Sequence, residues 1–455
     1  AAAGGRAGID PELLEEVTHL VEHPTALAGG FDERYLEVPA EILVTTMKEH
    51  QRYFPVYAPS GELLPRFVAV RNGSADYIDV VRAGNERVLS ARLADAKFFY
   101  DEDLKTPLGE RTGALKNVVF QEKLGTLWEK QERARRVAQK IGASYPEAVR
   151  RAADRALELA KADLVTQVVY EFPELQGIMG REYALRSGEG EAVARAIYKH
   201  YLPRFADDEL PESEAGILAA VADKIDTIAG CFGIGLVPTG SADPYALRRQ
   251  ALGIIRITLR HRVPFTLGEL VDAALLAYGE RFGEHDRVKA EVLDFFRGRL
   301  HALLIDEGVR HDLVEAALAA GVEDVAAAYK RALALSEAAG TEAFQALLVA
   351  FQRAVNLAAK AKGAPVDPGL FERPEEGALW ERVQALSTEA SRLVKAGGYA
   401  EAIKALAGLK APVDAFFDAV LVMAHDPRVR ENRLSILAGV VAACRPLGDL
   451  AKVVA

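Results

Sequence analysis

Cysteine is almost missing from this chain. Only Cys231 and Cys444 occur in 455 residues, both in apolar surroundings, so neither a disulfide framework nor a multi-cysteine zinc site is available, and two buried thiols are expected. Long hydrophobic runs are missing as well. The longest, such as 215–222 and 434–444, stop well short of the roughly 20 residues a bilayer requires, and no signal-peptide pattern opens the chain. The expectation is a cytoplasmic protein with no membrane partner. An initiator methionine is absent, and the opening Ala-Ala-Ala-Gly-Gly is read as the start of a fragment with more chain upstream. Catalytic signatures are lacking too. Neither G-x-x-x-x-G-K-[ST] nor G-x-S-x-G occurs, and GCFGIG at 230–235 ends a helical pattern without the preceding strand of a dinucleotide loop, so it reads as a helix stop.

What is present is the balance of a well-packed globular protein: 50% hydrophobic and 27% charged residues, with a net charge of −10. The length suggests about three domains. An acidic body does not attract polyanions as a whole, so any nucleic-acid binding must come from local basic stripes. Helical spacing marks 12–21 and 85–100, and strands at 52–58 and 65–71 flank the turn Pro59-Ser60-Gly61-Glu62, a hairpin signal. Beyond residue 107 strands nearly vanish. Apolar residues recur at three-and-four spacing through 115–142, 147–170, 190–203, 214–231, 244–261 and on to the end. The expected fold class is mainly α and multidomain: a mixed α/β region at 1–107, a helical domain at 108–275, a helical connector at 276–345 and a second helical domain at 346–455.

Three His-Asp pairs, at 285–286, 311–312 and 425–426, spell a metal-binding dyad, but each falls at a polar helix end or turn. Asp426 before Pro427 reads as an N-cap followed by a first-turn proline. No metal and no catalytic residue is assigned. The basic stripes carry more. Between 240 and 265 five arginines face one aspartate, and Asp243-Pro244 is expected to start a helix through about Leu259. On it Leu247, Ala251, Ile254 and Ile255 share one face, with Arg249, Arg256 and Arg260 opposite. The bland alternative is a solvated face paired with acids elsewhere. Residues 111–140 hold eight Lys/Arg against three Glu, expected as a second basic helix from about Val118. Near the end, Phe417, Val420, Leu421 and Ala424 make one apolar face and Leu434, Leu437, Val441 and Cys444 another. The two helices are expected to pack together, with Arg428, Arg430, Asn432 and Arg433 at the turn between them, a mixture suited to phosphates and base edges.

Several long strings then stand out together: KEHQRYFPV at 48–56, GNERVLSARLADAKFFYDED at 84–103, VFQEKLGTLWEK at 119–130, KADLVTQVVYEFPELQGIMGREYA at 161–184, HYLPRF at 200–205, AVADKIDTIAG at 220–230 and PTGSADPYALRRQALGIIRI at 238–257. They resemble the beta subunit of the bacterial two-subunit glycyl-tRNA synthetase, along nearly the whole chain. The resemblance implies an alpha2beta2 assembly in which ATP and Mg are used on the alpha subunit, with no cofactor here, while the beta subunit binds tRNA-Gly. It implies a degenerate HD-type middle domain, with Lys161-Ala162-Asp163 where a dyad would stand. A rival reading makes Asp163, His200, Asp223 and Asp226 metal ligands of a phosphohydrolase. Another makes the chain a purely structural subunit. FQRAVNLAAK at 351–360 and VMAHDPRVRENRLSILAGV at 422–440 resemble the helical anticodon-binding domain of arginyl-tRNA synthetases. That adds Arg353 to Arg430, Asn432 and Arg433 as candidates for the anticodon arm.

Overall fold

A computed structural model describes residues 4–454. The chain divides into two compact units, Ala1–Leu202 with Glu209–Asp223 and Pro203–Asp208 with Lys224–Ala455, a coarser division than the four expected segments.

The first unit opens with a four-stranded antiparallel sheet of β1 (Arg6–Ala7), β2 (Pro24–Gly30), β3 (Phe54–Tyr57) and β4 (Leu63–Asn72), in the order β1-β3-β4-β2. The expected hairpin is β3–β4. Its turn closes through Ala58 N–H donating to Glu62 O at 2.8 Å, with Gly61 at φ +89°. Strand β2 carries no β signal, because Pro-Thr-Ala-Leu-Ala-Gly-Gly lacks branched and aromatic residues apart from Thr25. It is a strand because β4 pairs with it throughout, and because its small residues leave room for Phe67. The Phe67 ring stacks on Tyr53 at 4.6 Å and occupies the space above Gly29, where a Cβ would lie 2.4 Å from Cζ. The helix Ala40–Gln51 buries Ile42, Leu43 and Met47, and the longer helix Ile78–Asp103 buries Leu89, Leu93, Ala96 and Tyr100.

Two expectations shift in the helical part of this unit. The basic helix expected from Val118 starts at Leu127, because 119–126 form a small hairpin, β5 (Val119–Gln121) and β6 (Gly125–Thr126). Gly125 at φ +91° makes its corner, and Thr126 and Glu129 close a capping box on the helix Leu127–Ile141. The helix expected over 147–170 ends at Leu159, since Lys161 adopts φ +62°. The helices Ile178–Arg186, Glu191–Lys199 and the first part of Glu214–Gly233 complete the unit.

The second unit is helical throughout, and GCFGIG does end a helix, with Gly235 at φ +77°. The next helix begins at Leu247, not at Pro244. Asp243 still serves its start, its carboxylate accepting from Leu247 N–H (2.7 Å) and Arg248 N–H (3.0 Å). Helices Leu267–Tyr278, His285–Asp306, His311–Leu318 and Val325–Ala338 follow, then Glu342–Ala358, Pro374–Lys395, Tyr399–Ala407, Lys410–Ala419 and Pro427–Cys444. The last helix packs on Glu342–Ala358 and Pro374–Lys395, as does Lys410–Ala419, so the expected direct pairing of the final two helices gives way to a shared support. The face that Lys410–Ala419 buries is Val413, Phe416 and the cap residue Val420, while Leu421 is exposed. Both cysteines are buried, and burial pushes the Cys444 thiol up to about 12. Among the described residues no helix is long and apolar enough to cross a membrane.

Gly29→Ala should lower the urea midpoint, the overpacking costing about 1–3 kcal/mol. Gly30→Ala, whose added carbon meets only Pro65 O at 3.4 Å, should be neutral or stabilising, because alanine gives up less chain entropy in a strand. Equal behaviour of the two variants would remove the packing explanation of β2.

Candidate nucleic-acid interface

Seven side chains are candidates for RNA binding, and the structure sorts them by what their polar heads already touch. On the helix Leu247–Arg260 the buried face is Leu247, Ala251, Ile254, Ile255 and Ile257, as the spacing predicts. Opposite it, Arg249 and Arg256 lean onto the segment 203–208, donating to the carbonyls of Arg204 (3.4 Å) and Ala206. Gly253 fits the same segment closely, a Cβ there lying 3.1 Å from Pro203 Cγ. These two arginines brace that segment, Arg249 being exposed and Arg256 half-buried. Arg260 is exposed, as is Arg262 just beyond the helix. Among the described residues neither side chain has an ion pair or hydrogen bond.

The helix Pro427–Cys444 starts as expected at Asp426, whose carboxylate accepts from Arg428 N–H at 2.7 Å, with Pro427 in the first turn. The four polar residues here lie on its first two turns, not in a preceding turn. Their side chains part company. Arg433, 4% exposed, donates from Nε to Glu376 Oε1 (2.7 Å), from Nη2 to Glu372 Oε2 (2.7 Å) and from Nη1 to Leu421 O (3.0 Å). Glu376 is fully buried and also accepts from the N–H groups of Glu372 (2.7 Å) and Arg373 (2.8 Å). Burial pushes the Glu376 carboxyl up, but Arg433 and those two N–H groups outweigh it, so it lies below the usual carboxylate range. Asn432 is buried as well. Its Oδ1 accepts from Asp367 N–H (2.7 Å) and its Nδ2 donates to Asp367 O (3.0 Å), the two-point pairing expected at a base edge, made instead with the protein's own backbone. Arg430 is half-buried and donates to Ala424 O at 3.3 Å, while Arg428 is exposed. Arg353 stacks its guanidinium over Phe417 at 4.7 Å and pairs with Asp414, which also holds Lys410 at 2.7 Å. Within these two clusters, Arg260, Arg262 and Arg428 are exposed and Arg430 is half-buried. Arg262 and Arg428 were legible only as members of basic clusters.

The 111–140 stripe is largely consumed inside the first unit. Arg133 is buried and donates to Leu124 O (3.0 Å), Arg135 pairs with Asp154 and Glu132, and Lys116 lies over Trp128.

Lys130 reaches a buried polar centre, where the rival metal reading can be tested. Its Nζ donates to Asp223 O (2.8 Å) and stands 3.2 Å from Asp223 Oδ1. Lys161 Nζ lies 3.2 Å from the same Oδ1 and 3.0 Å from His200 Nε2. His200 Nδ1 faces Ile197 O, which can only accept, so Nδ1 carries the proton and Nε2 accepts from Lys161. Asp163 turns its Oδ2 away to Gly177 N–H and Gly180 N–H (3.0 Å), and its Oδ1 has no hydrogen-bond partner. Burial holds the Lys161 amine below its ordinary range, against the pull of Asp223, and pushes the Asp163 carboxyl up. A divalent ion about 2 Å from Asp223 and His200 would have to displace the buried Lys161 amine. Asp226 is buried in the second unit, where its carbonyl accepts from Tyr278 Oη at 3.0 Å. Within the first unit, Asp223 Oδ1 and His200 Nε2 meet at Lys161 Nζ.

A family model described as glycyl-tRNA synthetase beta subunit matches residues 1–319. The chain belongs to that family. It is 48% identical over 458 residues to the glycine–tRNA ligase beta subunit of Moorella thermoacetica, covering 99% of this chain and 66% of the relative. With the beta subunit of Geobacter metallireducens the identity is 49% over 457 residues, covering 100% and 66%. The chain thus spans slightly under two thirds of the length of these family members. The matches run through 161–223, so the buried lysine lies within the part shared with the family.

Glu376 stabilises the fold fully above its unfolded value near about 4.3, and that contribution is lost as pH falls through its lower folded value. Arg433→Ala should cost about 3–5 kcal/mol by leaving the carboxylate buried and unpaired. Glu376→Gln should be less stable than the parent at neutral pH and lose less on acidification. Parallel pH–stability curves for Glu376→Gln and the parent, from urea unfolding, would show that the pair is not a stability determinant.

Proposed function

We propose that this chain is the tRNA-handling part of a glycine–tRNA ligase, holding tRNA-Gly so that an alpha subunit, which uses ATP and Mg, can glycylate it in a cytoplasmic alpha2beta2 assembly. The observation that carries the reading is the exposed arginine set, Arg260 and Arg262 on one helix end and Arg428 and Arg430 on another, on a chain of net charge −10. Phosphates are the ligand class such isolated cationic points suit. In this reading Arg249 and Arg256 shape the first surface and add secondary interactions. Asn432 and Arg433 hold the second surface in place beneath Arg428 and Arg430, and Arg353 contributes at its edge. The helices 342–444 serve as an anticodon-binding domain, and the middle helices as an HD-type domain whose ion position is taken by Lys161. The contribution to catalysis is positioning, which can account for several kcal/mol, up to about 7–11, by making the encounter effectively unimolecular.

The test uses the complete ligase assembled with beta chains carrying Arg428→Ala with Arg430→Ala, or Arg260→Ala with Arg262→Ala. Glycyl-tRNA formation should fall while glycine-dependent ATP–pyrophosphate exchange stays within about twofold of the parent. The slope of log affinity for tRNA against log salt should shrink by about 1 for each arginine–phosphate pairing removed. Unchanged aminoacylation and salt slope in both variants would leave these arginines without a tRNA role. Equal loss of aminoacylation and exchange would point to a structural subunit.

A further inference from the structure

The helices His285–Asp306 and His311–Leu318 are joined by a short turn whose Gly308 sits at φ +87°. The turn brings His301, near the end of the first, against the opening face of the second. His311 and Glu315 stand one helical turn apart on that face. The two imidazoles meet edge to face, centroids 5.1 Å apart at 74°, and His301 Nε2 lies 3.5 Å from Glu315 Oε1. One ligand atom from each of the three side chains falls within 4.8 Å of the others, and among the described residues no other group of histidines, cysteines and carboxylates does so.

We propose that His301, His311 and Glu315 bind a divalent transition-metal ion of the zinc class. Two imidazoles and one carboxylate suit zinc, cobalt or nickel, whereas magnesium and calcium favour all-oxygen sets. The geometry needs little adjustment. Ligand atoms about 2.0–2.2 Å from a tetrahedral zinc lie roughly 3.3 Å apart, close to the existing His301–Glu315 separation, and His311 is exposed and free to turn inward. The two oxygens of Glu315 are already divided in function. Oε2 accepts from Arg297 Nη2 (3.0 Å) and Lys452 Nζ (3.1 Å), which fixes the carboxylate and leaves Oε1 directed at His301. Outer partners of this kind orient metal ligands. Their positive charge also sets the affinity below that of a dedicated structural zinc site, in the micromolar range. Asp312 does not contribute, being held by Arg310 (2.6 and 2.8 Å) and Val454 N–H (2.7 Å).

The consequence is structural. The end of the chain is seated on the helix His311–Leu318 through Asp449 N–H to Ala316 O (2.9 Å), Arg310 to Val454 O (2.9 Å) and the Lys452–Glu315 pair. An ion at His301 would tie the preceding helix to the same point, stiffening the junction between the connector helices and the chain end.

The experiment is a zinc titration of chelator-stripped protein without a polyhistidine tag, in competition with a chromophoric chelator, with the thermal midpoint followed in parallel. One equivalent should bind in the micromolar range and raise the midpoint. His311→Ala, which removes an exposed side chain, and His301→Gln should each weaken binding by at least about tenfold, while His425→Ala should not change it. The absence of one-to-one binding, or equal affinity in His311→Ala and the parent, overturns the site.

Discussion

The first unit depends on one buried lysine. Lys161 stands in the left-handed region of backbone space, uncommon for a side-chain-bearing residue, and its Nζ reaches both Asp223 on the helix Glu214–Gly233 and His200 at the end of the helix Glu191–Lys199. Taking an ammonium out of water costs several kcal/mol unless its partners are well placed, so the backbone break at 160–161 and the positions of those two helices are fixed together. Lys130 adds a second amine to the same carboxylate. The result is a buried centre in which two lysines share one carboxylate. Such a centre can hold helices rigidly.

Arginine divides its labour in the same way in the second unit. Arg433 has three of its donor groups occupied by two glutamates and a carbonyl, and Asn432 spends both ends of its amide on Asp367. Neither is an idle surface group. They lock the first turns of the helix Pro427–Cys444 onto the helix Pro374–Lys395 and onto the loop before it. Arg428 and Arg430 extend from those locked turns. A cation that must meet a phosphate in fixed register gains from a support whose own rotamers are held by packing and hydrogen bonds.

Local rules made part of this fold legible. The Pro59-Ser60-Gly61-Glu62 turn, the Asp426-Pro427 helix start and the GCFGIG stop each depend on a few adjacent residues, and each is found where it was expected. What could not be read depends on distant partners. Strand β2 has no propensity of its own and exists because β4 and the Phe67 ring define its place. The hairpin at 119–126 hides inside a string with helical composition, betrayed only by Gly125 and the Thr126–Glu129 cap. At the candidate interface the sequence supplied the right clusters but not the roles within them. Arg433 finds Glu376 57 positions away and Asn432 finds Asp367 65 away, and no periodicity within the helix reveals either encounter.

Basic residues in the sequence are therefore a poor count of cations available to a ligand. In 111–140 the buried partners of Lys130 and Arg133 and the acid pairs of Arg135 remove much of an apparent stripe, whereas Arg260, Arg262 and Arg428 keep their heads in solvent. On an acidic chain this selection has a consequence for recognition. The net negative charge opposes a polyanion at long range, so attraction acts at short distances around exposed cations, within about one Debye length of 8–10 Å at ordinary ionic strength. A polyanion whose phosphates match the positions of such cations is favoured over one laid against the acidic surface.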